Sequence, residues 1–590
     1  MTGLLDLGIH ALSDAYRTGT LDVRQVIDEV LKRIVAAGDD KVWISRRTDA
    51  ALRAQADSLM ARRGEIEKLP LYGIPFAVKD NIDVAGMMTT AACPGFAYEA
   101  KTSAEVVQRL VAAGAIVVGK SNLDQFATGL VGVRSPYGVP RNPFDADYIP
   151  GGSSSGSAVA VSSGLVSFSL GTDTAGSGRV PAGFNNIVGL KPTPGLLSNE
   201  GVVPACRSLD CVSVFALCCA DADAVLGVAC SPRATPAIGK TFRFGVPRPL
   251  EFFGDDAYGT LYAQAVEKLK ALGGTAVEFD YAPFREAAQL LYSGPWVAER
   301  TAAVGAFIEG AADTAGVWPT TRQIVLGGRK YSAVDAFEGQ YRLADLKARA
   351  ATEMQGLDFL ALPTAGTIYR LADLEREPVL YNSHLGHYTN FVNFFGLSGL
   401  ALPFGFRPDG LPFGITLIGR AFAERTLLAF GAHWQRTVPL PLGKTASRLP
   451  APAHDPVVTE DRVSIAVVGA HMSGLPLNSQ LTELGGRLES AGKTAPVYRF
   501  YALPGGPPHR PGMVRTAEGG GVIELEVWSL PTEKVGAFVV KIPAPLGLGT
   551  VTLADGSGVP GFLCESHAIE GARDITSLGG WRAYVKSVAV

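Results

Sequence analysis

Val26, Ile27, Val30, Leu31 and Ile34 recur at helical spacing and fall on one face. Asp22 and Gln25, three positions apart just ahead of them, have the spacing of an N-terminal capping pair, so the segment predicts an amphipathic helix laid on a sheet. Short apolar runs follow at 73–78 (Gly-Ile-Pro-Phe-Ala-Val) and 115–118 (Ala-Ile-Val-Val), each short enough for a buried strand, with a helical stretch at 105–113 between them. This strand–helix–strand rhythm continues to about residue 435 and predicts a large α/β domain.

The rhythm breaks at 439–456, which is proline-rich, polar and without periodicity, and reads as an extended linker. The expected division is a first domain over 1–440, a linker over 441–460 and a smaller α+β domain over 461–590. The last has strand-like runs at 463–468, 522–527 and 535–540. A chain of 590 residues exceeds what one core sustains, in agreement with two domains.

Composition changes this picture little. Hydrophobic residues make up 47% and charged residues 18%, which describes a globular interior. A net charge of −3 gives no reason to expect nucleic acid or an anionic membrane as partner. Neither a charged-then-apolar leader nor an apolar run of membrane-spanning length occurs, so a soluble, cytoplasmic protein is expected. The seven cysteines show no C-x-x-C pair, so reduced thiols and no metal site are expected.

The chemistry is concentrated at 151–177, rich in Ser and Gly, with Asp173 its single charge. A flexible linker would not enclose the apolar runs Ala158-Val159-Ala160-Val161 and Leu165-Val166. Three readings compete. In the first, Ser and Gly serve only to pack a small-residue helix on a sheet. In the second, Gly152-Ser153-Ser154-Ser155-Gly156 is a nucleophile elbow with Ser154 as nucleophile and His384 or His387 downstream, but the polar 141–148 segment lacks the upstream strand an elbow needs. The third takes Lys79, at the end of a buried run, with Ser153 and Ser177. A desolvated lysine loses basicity towards neutrality and can then serve as a general base.

The three segments 73–80 (Gly-Ile-Pro-Phe-Ala-Val-Lys-Asp), 151–156 (Gly-Gly-Ser-Ser-Ser-Gly) and 171–179, continuing to Gly189-Leu190-Lys191-Pro192-Thr193, occur in the order of the amidase signature family, which the chain resembles over about 1–440. The resemblance implies a mixed central sheet flanked by helices and no cofactor. It also implies a catalytic set of Lys79 as base, Ser153 on a cis peptide as proton relay and Ser177 as nucleophile. The N–H groups of Thr174, Ala175, Gly176 and Ser177 would form the oxyanion hole. Ser154 is expected to hydrogen-bond within the site as a substrate-binding residue, and Asp173 and Arg179 are expected to support the loop.

Within that family, Tyr292 and Arg300, eight positions apart, resemble the carboxylate-binding segment of the allophanate hydrolases, and a run similar to theirs implies Thr389 and Asn390 as substrate-pocket residues. The segment 468–478, containing His471, is similar to the start of the domain that this subgroup appends, whose fold resembles gamma-glutamylcyclotransferases. The resemblance implies a small anionic amide substrate, allophanate, a functional partner in urea carboxylase, a homodimer, and a role for His471 in the later decarboxylation. The alternatives are a general or malonamidase-like amidase and a catalytically silent scaffolding protein of the same fold.

Overall fold

The computed structural model describes residues 5–230, 238–450, 462–505 and 509–588, and divides into two compact units, Met1–Val457 and Val458–Val590.

The first unit is built on one eleven-stranded sheet. In spatial order its strands are Trp43–Arg46, Ile116–Ser121, Pro75–Lys79, Phe168–Asp173, Cys211–Ala216, Val188–Lys191, Ser398–Phe406, Pro412–Gly419, Phe359–Pro363, Phe242–Arg248 and Gly274–Asp280. The sheet is mixed. Ile116–Ser121, Pro75–Lys79 and Phe168–Asp173 run parallel to their neighbours in that group, the next pairings are antiparallel, and the last three strands are parallel again. The central strands are buried along their whole length, which is why they read as continuous apolar runs rather than as alternation.

Local signals held near the N-terminus. The helix Val23–Ala37 starts with a reciprocal cap, Gln25 N–H donating to Asp22 Oδ1 at 2.8 Å and Asp22 N–H to Gln25 Oε1 at 2.9 Å. It buries Val26, Ile27, Val30, Leu31 and Ile34, the face anticipated from their spacing.

The serine-rich stretch becomes the helix Ser155–Ser162 and the strand Phe168–Asp173, with every residue of both buried. The helix lies so close to its neighbours that a Cβ on Gly156 would stand 2.5 Å from Val42 O and 2.6 Å from Asn122 N. Serines here are polar groups small enough for that spacing. Ser157 donates to Leu170 O (2.9 Å), Ser169 to Ser157 O (2.8 Å) and Ser162 to Asn185 O (2.7 Å). For these three the packing explanation is sufficient.

Two expectations are corrected. The expected linker begins inside the first unit: Leu442 is buried, Gly443 N–H donates to Asn186 O (3.0 Å), and Asn186 Nδ2 donates to Pro441 O (2.8 Å). Prolines there satisfy the extended backbone of a segment strapped onto the domain; the rest of the expected linker, 451–460, lies outside the described residues. In the second unit, 535–540 is not a strand but the end of the helix Thr532–Val539. A short apolar run has no period of its own, and Phe538 is buried from a helix as readily as from a strand.

The second unit has a five-stranded sheet, in order Arg487–Lys493, Glu524–Pro531, Arg462–Val467, Gly558–Cys564 and Leu546–Thr552, and a three-stranded sheet. Its own core, around Ile465, Phe500, Trp528 and Phe562, makes it an α+β domain. Among the described residues, no helix of either unit is long and apolar enough to cross a membrane.

Candidate active site

Two parallel neighbours bring the site together at their carboxyl ends. Pro75–Lys79 pairs with Phe168–Asp173 in the register Phe76–Phe168, Ala77–Ser169 and Val78–Leu170, so Lys79 emerges beside Gly171 and Thr172. The ammonium of Lys79 is fully buried and donates to Ser153 Oγ at 2.8 Å and Thr172 Oγ1 at 2.7 Å. Thr172 Oγ1 also receives Asn81 Nδ2 at 3.3 Å. The Gly152–Ser153 peptide is cis, as the resemblance implied.

Burial brings Lys79 down to about 7, a fall that Asp124, Asp173 and Asp210 oppose. A lysine with that affinity exchanges protons readily at neutral pH, and its contacts to hydroxyl oxygens give it a path for doing so.

Ser177 lies in the turn that follows Phe168–Asp173 and is 2% exposed. Its turn is braced from behind. Asp173 accepts Gly176 N–H (2.8 Å) and Gly178 N–H (3.0 Å), and Arg179 closes on the same carboxylate with Nε at 2.9 Å and Nη2 at 3.0 Å. Burial alone would raise the Asp173 carboxyl, but the charge and hydrogen bonds of Arg179 outweigh it and hold the group below its ordinary value. Arg179 reaches further, to Thr389 O and Asn393 Oδ1, each at 3.2 Å, so the turn is tied to the segment that carries Thr389 and Asn390.

That bracing changes the expected oxyanion hole. Gly176 N–H is directed at Asp173, because the carboxylate sits under the turn. The N–H groups of Thr174, Ala175 and Ser177 are therefore the candidate donors. Ser154 is corrected in the same way. It is fully buried and its hydroxyl bonds the backbone of Thr172 (3.2 Å to the carbonyl), which makes it a brace behind the lysine rather than a substrate contact.

Arg300, 1% exposed on the helix Trp296–Gly310, donates from Nη1 to Thr128 Oγ1 (3.1 Å) and from Nη2 to the hydroxyl of Tyr292 (3.3 Å). Its Nε has no partner among the described residues. The neighbouring Glu299 does not neutralise it, being engaged with Ser208 N–H and hydroxyl at 2.6 and 2.7 Å. Burial alone would lower Arg300, yet Tyr292, Cys206, Asp210 and Glu299 raise it above its ordinary value, so the guanidinium stays charged. A buried, charged fork held by neutral oxygens is suited to an incoming carboxylate.

Thr389 Oγ1 and Asn390 Oδ1 are buried without hydrogen-bond partners among the described residues. Asn390 and Tyr292 line a cleft of about 180 Å³ together with His384 and His387. The histidines do not form an elbow triad. His384 stacks on Phe253 at 4.0 Å and bonds the Tyr369 hydroxyl at 2.5 Å, and burial lowers His387 to about 4. Sequence reasoning missed Thr172, Thr128, Asn393 and Asp210. A lone Thr, Asn or Asp carries no periodicity, and only the tertiary fold brings these four to the site: Thr172 from a strand, Asp210 from the start of one, Thr128 from a loop and Asn393 from the helix Phe391–Phe394.

In the second unit His471 is partly buried, its Nε2 3.1 Å from Gln480 Oε1, and burial lowers its basicity. With Gln480, Arg510 and Lys541 it lines a cavity of about 410 Å³.

A mixed sheet that sets a buried lysine of lowered basicity beside Ser153, with Ser177 in the turn that follows the neighbouring strand, fits an amide-hydrolysing enzyme. Residues 25–428 match the amidase family, and the chain belongs to it. Residues 463–586 match the allophanate hydrolase C-terminal domain. The chain is 43% identical over 586 residues to the urea amidolyase of Saccharomyces cerevisiae, covering 95% of this chain and 32% of that protein, so it spans about a third of that relative's length. The urea amidolyase of Lachancea kluyveri is 42% identical over 583 residues, again covering 94% of this chain and 32% of that protein. The solved Kluyveromyces lactis allophanate hydrolase superposes with a TM-score of 0.77 at 40% identity, over 98% of this chain and 99% of that chain.

Proposed function

We propose that this chain hydrolyses allophanate, urea-1-carboxylate, at its amide carbon–nitrogen bond. The observation that carries the reading is Arg300: a buried, charged guanidinium that, among the described residues, hydrogen-bonds only neutral groups and leaves its Nε–H unused, in the domain that also carries Lys79, Ser153 and Ser177. A neutral amide would bring that guanidinium no carboxylate to accept its N–H groups. The likeness to the K. lactis allophanate hydrolase over both units supports the same substrate.

In this reading the carboxylate docks on Arg300 and Tyr292, and the terminal amide carbonyl meets Ser177. The Ser177 hydroxyl attacks as its proton passes through Ser153 to neutral Lys79, and the N–H groups of Thr174, Ala175 and Ser177 receive the developing oxyanion. The proton returns to the departing nitrogen and ammonia leaves. Water, deprotonated along the same path, cleaves the acyl-enzyme and frees N-carboxycarbamate. That product loses carbon dioxide to give carbamate, which in turn yields ammonia and carbon dioxide, so one allophanate gives two of each.

His471 would serve the later step. Its cavity holds two cations, Arg510 and Lys541, beside a neutral imidazole, a combination suited to a small dianion. The name urea amidolyase, borne by the S. cerevisiae relative, supports a urea carboxylase as supplier of the substrate. In this reading the chain acts in the cytoplasm as a homodimer. Ammonia release from allophanate, malonamate, biuret and acetamide tests the substrate: allophanate should be cleaved fastest, and equal rates on acetamide would favour a general amidase.

A further inference from the structure

Asp210 is one of the buried carboxylates that the proposed chemistry leaves unused. Asp210 is 5% exposed and directly precedes the strand Cys211–Ala216. That strand runs antiparallel to Phe168–Asp173 with Asp173 opposite Cys211, so one further step along the ladder sets Asp210 against Thr174, the first residue of the candidate oxyanion turn. The contact is made: the Thr174 hydroxyl donates to Asp210 Oδ1 at 2.5 Å. Oδ2 receives the N–H groups of Ala205 (2.9 Å) and Cys206 (3.1 Å), and the Asp210 carbonyl receives Asn199 Nδ2 at 2.6 Å. These donors are all neutral, so among the described residues the carboxylate is fixed in place without a hydrogen-bonded cation to cancel it.

We propose that Asp210 is a positioning residue of the amide-cleaving site: it holds the Thr174 end of the turn 174–177 through the Thr174 hydroxyl, and its negative charge favours the cationic forms of Lys79 and Arg300. The proposal rests on the catalytic reading of Lys79, Ser153 and Ser177. An oxyanion hole works through donors that are aimed before the reaction starts; Asn393 Nδ2 holds the Asp173–Thr174 peptide by its carbonyl at 2.8 Å, and Asp210 fixes the Thr174 side chain beside it. The carboxylate is also one of three that face Lys79. Asp124 follows the strand Ile116–Ser121, Asp173 ends its own strand under Arg179, and Asp210 opens the next. The same charge acts on Arg300, and burial raises Asp210 itself against the opposing effects of Thr174, Ala205, Cys206 and Arg300.

The experiment uses the full chain with Asp210→Asn, Asp210→Glu and Thr174→Val. It measures kcat on allophanate across pH and the Lys79 titration from the 13Cε resonance of lysine-labelled protein, assigned with Lys79→Met. Asp210→Asn should lower kcat by about tenfold or more and move the Lys79 titration and the acid limb of activity to lower pH, because a negative charge that favours the ammonium is gone. Asp210→Glu should keep the titration near that of the unmodified chain. Thr174→Val should lower kcat with the titration unmoved. An unmoved Lys79 titration in Asp210→Asn overturns the electrostatic role, and full kcat in Thr174→Val overturns the holding role; if Asp210→Asn does not fold, Thr174→Val decides alone. The resonance needs no substrate, so an unmodified chain inactive on allophanate would sink the substrate reading while leaving this test in force.

Discussion

Gly176 and Thr389 meet across a space that no side chain can enter. Gly176 has φ +132°, and a Cβ built on it would lie 2.7 Å from Thr389 Cβ, short of any normal contact. The turn before Ser177 is thus closed on one face by Asp173 and Arg179 and on the other by Thr389. Gly176→Ala should therefore reduce kcat by about 100-fold or more, comparable to losing an oxyanion donor, with only a modest drop in melting temperature. Thr389→Ser should leave activity nearly intact, and full activity in Gly176→Ala would show that the turn has room to move.

The second prediction concerns the lysine. Ser177→Ala and Lys79→Ala should each lower kcat by about 10⁴-fold or more, since a nucleophile and its base act as a unit. The neutral lysine is the active form, and burial sets its affinity at about 7. Below that value the ammonium dominates, so kcat/KM should fall about tenfold for each further pH unit; above it the rate should level off. A profile flat from pH 5 to 8 would remove Lys79 as the base.

The third concerns the substrate carboxylate. Arg300→Ala should cost about 2–4 kcal/mol of transition-state binding on allophanate, about 30- to 1000-fold in kcat/KM, and much less on a neutral amide of similar size. Tyr292→Phe removes the oxygen that receives Arg300 Nη2 and should cost about 2- to 10-fold, the worth of one hydrogen bond. Equal losses on charged and neutral amides would reject the anchor.

These outcomes separate what periodicity and motifs reveal from what only the folded sheet reveals. Lys79 was legible because it terminates an apolar run that had to be a buried strand, and Ser153 and Ser177 because their segments resemble the amidase signature within a stretch too apolar for a linker. Thr172 and Asp210 were not legible. Thr172 joins Lys79 through a parallel pairing across 93 positions, and Asp210 reaches Thr174 from 36 positions away. The segment 535–540 misled because six apolar residues fit a strand or a helix equally, and the context that chooses between them is tertiary. The proline-rich segment misled at its start because extended chain looks the same whether it is free or strapped to a domain by Asn186.

The last prediction concerns the division of labour between the units. Each has its own hydrophobic core, and Lys79, Ser153, Ser177, Tyr292 and Arg300 all belong to the first. A chain ending at residue 450 keeps the strap formed by Pro441 and Gly443 and should still release the first ammonia at close to the full rate. One ending at 440 loses the bonds between Asn186 and that strap and should be less stable. Neither carries His471, so N-carboxycarbamate would leave for solvent and decarboxylate there, delaying carbon dioxide relative to the first ammonia. His471→Ala in the full chain should reproduce that delay without affecting the first ammonia, because its imidazole lies in the cavity of Gln480, Arg510 and Lys541. Following both products over time decides the matter: carbon dioxide keeping pace with ammonia in His471→Ala removes the histidine from the chemistry, and loss of the first ammonia in the chain ending at 450 shows that the amide site depends on the second unit.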